Sequence, residues 1–150
     1  MTMTPSDSDY ENRIRESFAR QGMMTTLGAE LRRIAPGEVE IELAVTDRVS
    51  QQHGFAHAGA VAAIADSACG YAAATLLPAN SGVLAVEFKI NLMAPAAGPR
   101  LIARARVIRS GRTLTVCQAD VYSVSADEER IVAMMMGTIM NVKDRPGIQG

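Results

Sequence analysis

The 150-residue chain is 48% hydrophobic yet only 4% aromatic, and fifteen basic against sixteen acidic side chains leave a formal net charge of -1. That length suits one domain able to bury roughly 70% of its unfolded surface, which excludes wholesale disorder and any need for a disulfide or metal staple. The near-neutral balance excludes nucleic acid and anionic membranes as partners on bulk electrostatic grounds, so any anion site has to be local.

Met1 to Asp9 carries neither a basic nor an apolar signal region, and Cys69 and Cys117 sit in apolar segments without C-x-x-C spacing, so a reducing cytoplasm is expected and no metal. Tyr10, Ile14 and Phe18 form an i, i+4, i+8 stripe that predicts a short amphipathic helix over Ser6 to Gln21, ended by Gly22. Alternation predicts a strand over Thr25 to Ile34, a turn at Pro36-Gly37, and a second strand in which Glu38, Glu40 and Glu42 oppose Val39, Ile41, Leu43 and Val45. Ala58 to Leu77 is apolar nearly all round and reads as a helix enclosed on most sides, closed by Pro78. It is no membrane span, because its mid-segment aspartate alone costs about 3 kcal/mol to insert. Alternation returns in Val86 to Leu92, Leu101 to Ile108, Thr113 to Val124 and Arg130 to Val142, with turns at Ser110-Gly111-Arg112 and Ala126 to Glu129.

Short connections force antiparallel pairing, and one helix has to serve about six strands. The expected fold is therefore α+β, a curved antiparallel sheet wrapped around one long central helix whose Ala and Gly positions allow close approach. The expected divisions are an N-terminal helical segment, 1–24, the main domain, 25–142, and a flexible tail, 143–150.

The chemistry concentrates in Gln51 to Asp66, where a loop rich in amides and imidazoles enters a helix N-terminus. First-turn N–H groups there lack intrahelical partners, and the small Ala58 and Gly59 let a carbonyl oxygen approach them. Asp66 is the only formally charged residue between Arg48 and Glu87. A buried carboxylate is either paired structurally or used, and desolvation and helix amides push its pKa in opposite directions. His57 and His53 also fit simple loop fixation, and two histidines without a third ligand make a weak metal signal. Arg100, Arg104, Arg106, Arg109 and Arg112 cluster around one hairpin, a basic patch suited to CoA phosphates or else a solvated strand face. Met134, Met135, Met136 and Met140 fit either a deformable acyl tunnel or ordinary core.

The run H-A-G-A-V-A-A-I-A-D-S-A-C-G-Y-A-A and the later V-E-F-K-I-N-L-M-A-P resemble the loop-helix motif and following strand of PaaI-like hotdog-fold acyl-CoA thioesterases, over roughly Gly37 to Val142. The resemblance implies a hotdog fold and hydrolysis of a medium-chain or aryl acyl-CoA without cofactor. It places the catalytic carboxylate at Asp66, as nucleophile or general base, the carbonyl-polarising N–H at Ala58 if its φ stays negative, and the orienting amide at Gln51. It implies a homodimer whose sites draw on both subunits, with pairing of dimers into a tetramer as the larger assembly. Ala85 and Gly70 supply no second hydroxyl. The competing readings are a non-catalytic acyl-CoA-binding hotdog module and an acyl-thioester dehydratase, for which His57 and Asp66 do not supply the usual pairing.

Overall fold

In the structure, a computed structural model that describes residues 2–126 and 128–150, strict alternation of side chains is realised as burial. The strand Glu38–Ala44 (β2) hides Val39, Ile41 and Leu43 completely and leaves Glu40 and Glu42 partly exposed. Its neighbours are β1 (Ala29–Ala35), β3 (Ser81–Leu92), β4 (Arg100–Ser110), β5 (Leu114–Ser125) and β6 (Glu128–Lys143). They form one antiparallel sheet in the order β1-β2-β4-β5-β6-β3. Irregular registers at Leu31/Arg33, Ala85/Glu87, Val107/Arg109 and Val121/Tyr122 mark bulges that bend it.

The bent sheet wraps a helix, Ala58–Ala74, whose Ile64, Ala65, Ala68, Cys69 and Ala72 are fully buried. Methyl-sized side chains on this helix let the strands approach its backbone, which is how a core this poor in aromatics still packs. One long helix inside a curved antiparallel sheet is the hotdog architecture. The helix ends one turn earlier than expected, with Leu76 and Leu77 in the turn beyond it. No helix among the described residues is long and apolar enough to cross a membrane.

Both ends of the chain depart from expectation. Helix α1 covers only Tyr10–Ala19, and Gly22 does not stop helical structure but begins α2, Gly22–Leu27; the helix wrapped by the sheet is α3. Gly28, at φ 75°, ends α2 in the left-handed region, so β1 starts four residues later than the Thr25 alternation suggests. The boundary expected at 24/25 thus falls inside α2. Residues 143–150, expected to form a flexible tail, end against the body of the chain: Gly150 O accepts from Arg13 Nη1 at 2.8 Å, and Gly150 N–H donates to Ser81 O at 3.3 Å. Asp127, inside the turn expected at Ala126 to Glu129, lies outside the described residues.

Candidate active site

Asp66 lies two turns into α3 on its least buried side, where it lines a cleft of about 340 Å³. The other walls come from α1 (Ser17), from Gln21 just before α2, from β3 (Gly82 to Ala85) and from Gly147 to Gly150. Among the described residues the Asp66 carboxylate has no hydrogen-bond or ion-pair partner. Burial therefore acts unopposed and pushes its pKa above the usual carboxylate value. That resolves the competition left open by the sequence: Asp66 is too far into the helix for first-turn amides to hold it down.

Those amides belong to a different place. Gln51 N–H donates to Phe55 O at 2.8 Å and Gly54 N–H to Gln51 O at 3.1 Å, closing a tight turn that requires the φ of 86° adopted by Gly54. His57 N–H donates to Val49 O at 2.8 Å and Ala56 N–H to Ala96 O at 3.0 Å, which pins the loop before α3 begins. His57 Nδ1 then accepts the Gly59 N–H at 2.8 Å as the N-cap. Gly59 N–H is thus occupied, while the Ala58 N–H has no acceptor among the described residues. Ala58 is helical and its φ is not positive, so the methyl group that replaces a glycine hydrogen leaves the donor intact. Gln51, His57 and Ala58 line a second cleft of about 540 Å³ with Leu92, Met93 and Val132. Gln51 Oε1 accepts from the His53 N–H.

A single copy of the chain does not bring these groups together. Eight residues separate Ala58 from Asp66, about 12 Å along a helix, and the two residues open into different clefts. The clefts flank opposite ends of β3, one at Gly82 to Ala85 and the other at Leu92 and Met93.

The arginine cluster stands apart from both. Antiparallel register sets Arg106 opposite Glu38 and Arg104 opposite Glu40 on the outer sheet face. Arg104 grips both Glu129 oxygens at 2.6 and 2.8 Å and sits 4.8 Å over the Tyr122 ring, Arg106 reaches Asp120 at 3.1 Å, and Arg100 reaches Glu42 at 3.3 Å. Only Arg109 and Arg112 have no carboxylate partner among the described residues, and none of the five lines either cleft. Met134, Met135, Met136 and Met140 likewise line neither cleft: Met135 is core, while Met136 and Met140 are exposed.

Sequence reasoning missed the polar wall around Asp66. Ser67 Oγ donates to Gln21 Oε1 at 2.9 Å, and Gln21 Nε2 donates to Tyr71 Oη at 3.3 Å. Helical spacing alone places Ser67 and Tyr71 on one side of α3, a usable signal; nothing local announces that Gln21 joins them. Cys69 and Cys117 are buried and free, and burial pushes the Cys117 thiol up to about 12, so neither offers a thiolate nucleophile.

Comparison with known proteins places the chain among related sequences. Residues 53–129 match the family described as the thioesterase superfamily. A crystal structure of a thioesterase family protein from Silicibacter pomeroyi is 47% identical, covers 89% of this chain and 98% of its own, and superposes with a TM-score of 0.87. The 1,4-dihydroxy-2-naphthoyl-CoA hydrolase of Listeria monocytogenes serotype 1/2a (strain 10403S) is 25% identical over 83% of this chain and 98% of its own length. The Escherichia coli PaaI protein from the phenylacetic acid degradation operon, at 20% identity over 94% and 96% of the two chains, shares the fold with a TM-score of 0.79.

Proposed function

The chain belongs to the thioesterase superfamily, a family of thioester hydrolases with PaaI-like members, and from that premise we propose that it hydrolyses a medium-chain or aryl acyl-CoA to carboxylate and CoA at a site shared by two subunits. The observation that carries this reading is Asp66, an unpartnered carboxylate in a cleft whose burial raises its pKa toward the range of a working general base. Asp66 takes the proton of a water as that water attacks the thioester carbon. The oxyanion forming on the carbonyl oxygen is held by the Ala58 N–H, and Gln51 orients the water or the departing sulfur. Collapse of the tetrahedral intermediate breaks the C–S bond, and the proton on Asp66 passes to the CoA thiolate. His57 is a positioning residue, because its Nδ1 caps α3 and thereby fixes the turn that carries Ala58.

A second copy of this chain supplies the missing half. Phe88 lies on the core side of β3, two residues from Ile90, which pairs with the buried Met135, yet it is 44% exposed. Val86 is 53% exposed beside it. Pairing of β3 with β3 of another copy about a twofold axis covers these side chains and satisfies the free edge. The antiparallel exchange sets the Leu92 end of one strand beside the Leu84 end of the other. The Gln51 and Ala58 cleft of each copy thereby meets the Asp66 cleft of its mate. Leu84, Leu114, Met136 and Met140 are exposed apolar side chains brought together by the β3, β5 and β6 registers, and they provide the contact for two dimers to form a tetramer.

The test is complementation. Asp66→Asn and Gln51→Ala chains, each carrying a different tag, are co-expressed and the mixed dimer is isolated through both tags. Asp66→Asn alone loses about 10²–10⁴-fold in thiol release. The mixed dimer regains about half of the wild-type rate, since one of its two sites has both native halves. No recovery overturns the shared site, and full activity in Asp66→Asn overturns the catalytic role. Saturable acyl-CoA binding without thiol release by the wild type shows a binding module instead. Single turnover in ¹⁸O-water labels the product carboxylate directly if Asp66 is the base, and labels Asp66 first if it is the nucleophile.

A further inference from the structure

The Asp66 cleft has a floor of known length. It follows α3 from Asp66 past Gly70 to Ala74, eight residues or about 12 Å, and at the Ala74 end it meets the last residues of the chain. Their position is over-determined. Arg13, only 12% exposed, donates through Nη2 to Ala74 O at 3.2 Å and Leu77 O at 2.9 Å, through Nη1 to Gly150 O at 2.8 Å, and through Nε to Asp7 at 2.9 Å. One guanidinium thus ties the end of α3, the start of the chain and its last residue together. On the far side Gly150 N–H donates to Ser81 O at 3.3 Å, and Ile148 packs so tightly on Gly82 that a Cβ there would lie 2.9 Å from Ile148 Cγ2 and 3.0 Å from its carbonyl oxygen. The segment therefore bridges from α1 to β3 across the mouth left by the end of α3.

We propose that this Arg13-locked strap, Gly147 to Gly150, is the end wall of the acyl cleft and sets the longest acyl chain the enzyme accepts. The proposal rests on the thioesterase reading for the placement of the carbonyl at Asp66. An extended chain advances about 1.2 Å per bond, so about 12 Å holds roughly ten bonds before the strap blocks it. Acyl groups up to about that length lie along α3 between β3 and the N-terminal helices; longer ones have to fold back or stay out.

The experiment compares the wild type with two variants on a series of straight-chain acyl-CoAs of increasing length, in hydrolysis and, separately, in the binding of non-hydrolysable S-alkyl-CoA thioethers. A chain shortened to end at Arg145 removes the wall; Gly70→Val narrows the floor one turn beyond Asp66, where an added Cβ has only Val83 Cγ2 at 3.8 Å. The wild type shows a sharp fall in binding beyond about ten carbons, of about tenfold per added methylene. The shortened chain moves that fall to longer acyl groups, and Gly70→Val moves it to shorter ones, so the proposal stands on the second variant if the first does not fold. Thioether length profiles identical in the wild type and a folded variant overturn the strap as end wall. Length-selective thioether binding that both variants shift, with no thiol release from any acyl-CoA, overturns the hydrolase reading and leaves the wall standing.

Discussion

The two edges of the sheet are built on opposite rules. At one edge β1 carries Glu30, Arg32 and Arg33, its register breaks at Leu31/Arg33, and its charged side chains pair with Glu42 and Glu38 of β2. Charge and a bulge are the usual means of closing an edge to further strands. At the other edge β3 runs twelve residues with Leu84, Val86, Phe88 and Leu92 exposed and carries a bulge only near its middle. On the proposed shared site this second edge is the joint: the charged edge is closed to further strands, while the exposed apolar side chains of β3, set between the two clefts, are what a second copy of the chain would cover.

The largest effect should follow from closing the open edge. Phe88→Glu places a carboxylate where β3 meets β3, at a cost of about 2 kcal/mol or more to the dimer, a thirtyfold or greater weakening. Light scattering should show monomer at concentrations where the wild type is dimeric. Thiol release should fall with the dimer population, because Phe88 is already exposed in the protomer and its loss leaves the core intact. A monomer that keeps full activity would break the link between edge and site.

Next comes the pH dependence of the half-site at the Leu84 end. Burial raises the Asp66 pKa, and a general base works only when ionised, so kcat should climb as pH rises through a value above that of an ordinary aspartate and level off beyond it. The same shift has a stability consequence of opposite sense. A carboxyl whose folded pKa lies above its unfolded one favours the folded state most below the unfolded pKa, and that advantage is lost as pH rises through the folded pKa. Asp66→Asn should therefore melt higher than the wild type at neutral pH, with the difference vanishing below about pH 4. Melting curves of both proteins across that range check the sign, and a neutral-pH loss in the variant would show a stabilising partner for Asp66 in the assembled dimer.

How far these features can be read from the sequence depends on the range of the interaction. Period-two alternation reveals β2, β4, β5 and β6 because one face of each packs on α3, and the isolation of Asp66 in an apolar run is visible at a glance. The Thr25 alternation misleads, because the left-handed Gly28 decides where α2 stops and no side-chain period encodes that. The arginine cluster shows a signal present but unused: Glu40 and Glu42 alternate in β2 as Arg104 and Arg106 do in β4, and antiparallel pairing of the two strands brings Arg104 to Glu40 and Arg100 to Glu42 as ion pairs. The strap at Gly147 to Gly150 has no local signature at all, since Arg13 holds it across 137 residues of chain.

The smallest expected effect belongs to the charged edge and serves as the control for the rest. Arg32 contacts Glu30 at 3.0 Å and Glu42 at 3.2 Å, but it stands half in water, where solvent and salt screen such pairs and ordering a long side chain offsets what the contact contributes. Arg32→Ala should leave the dimer, the rate and the acyl-length profile unchanged, with a melting temperature within error of the wild type. Its more informative partner is Arg32→Val, which removes a charge from the finished edge and adds a β-branched side chain. If charge is what keeps β1 from pairing, this variant should show concentration-dependent association beyond the wild-type assembly, with the hydrolytic rate per chain unchanged, because β1 contributes no side chain to either cleft.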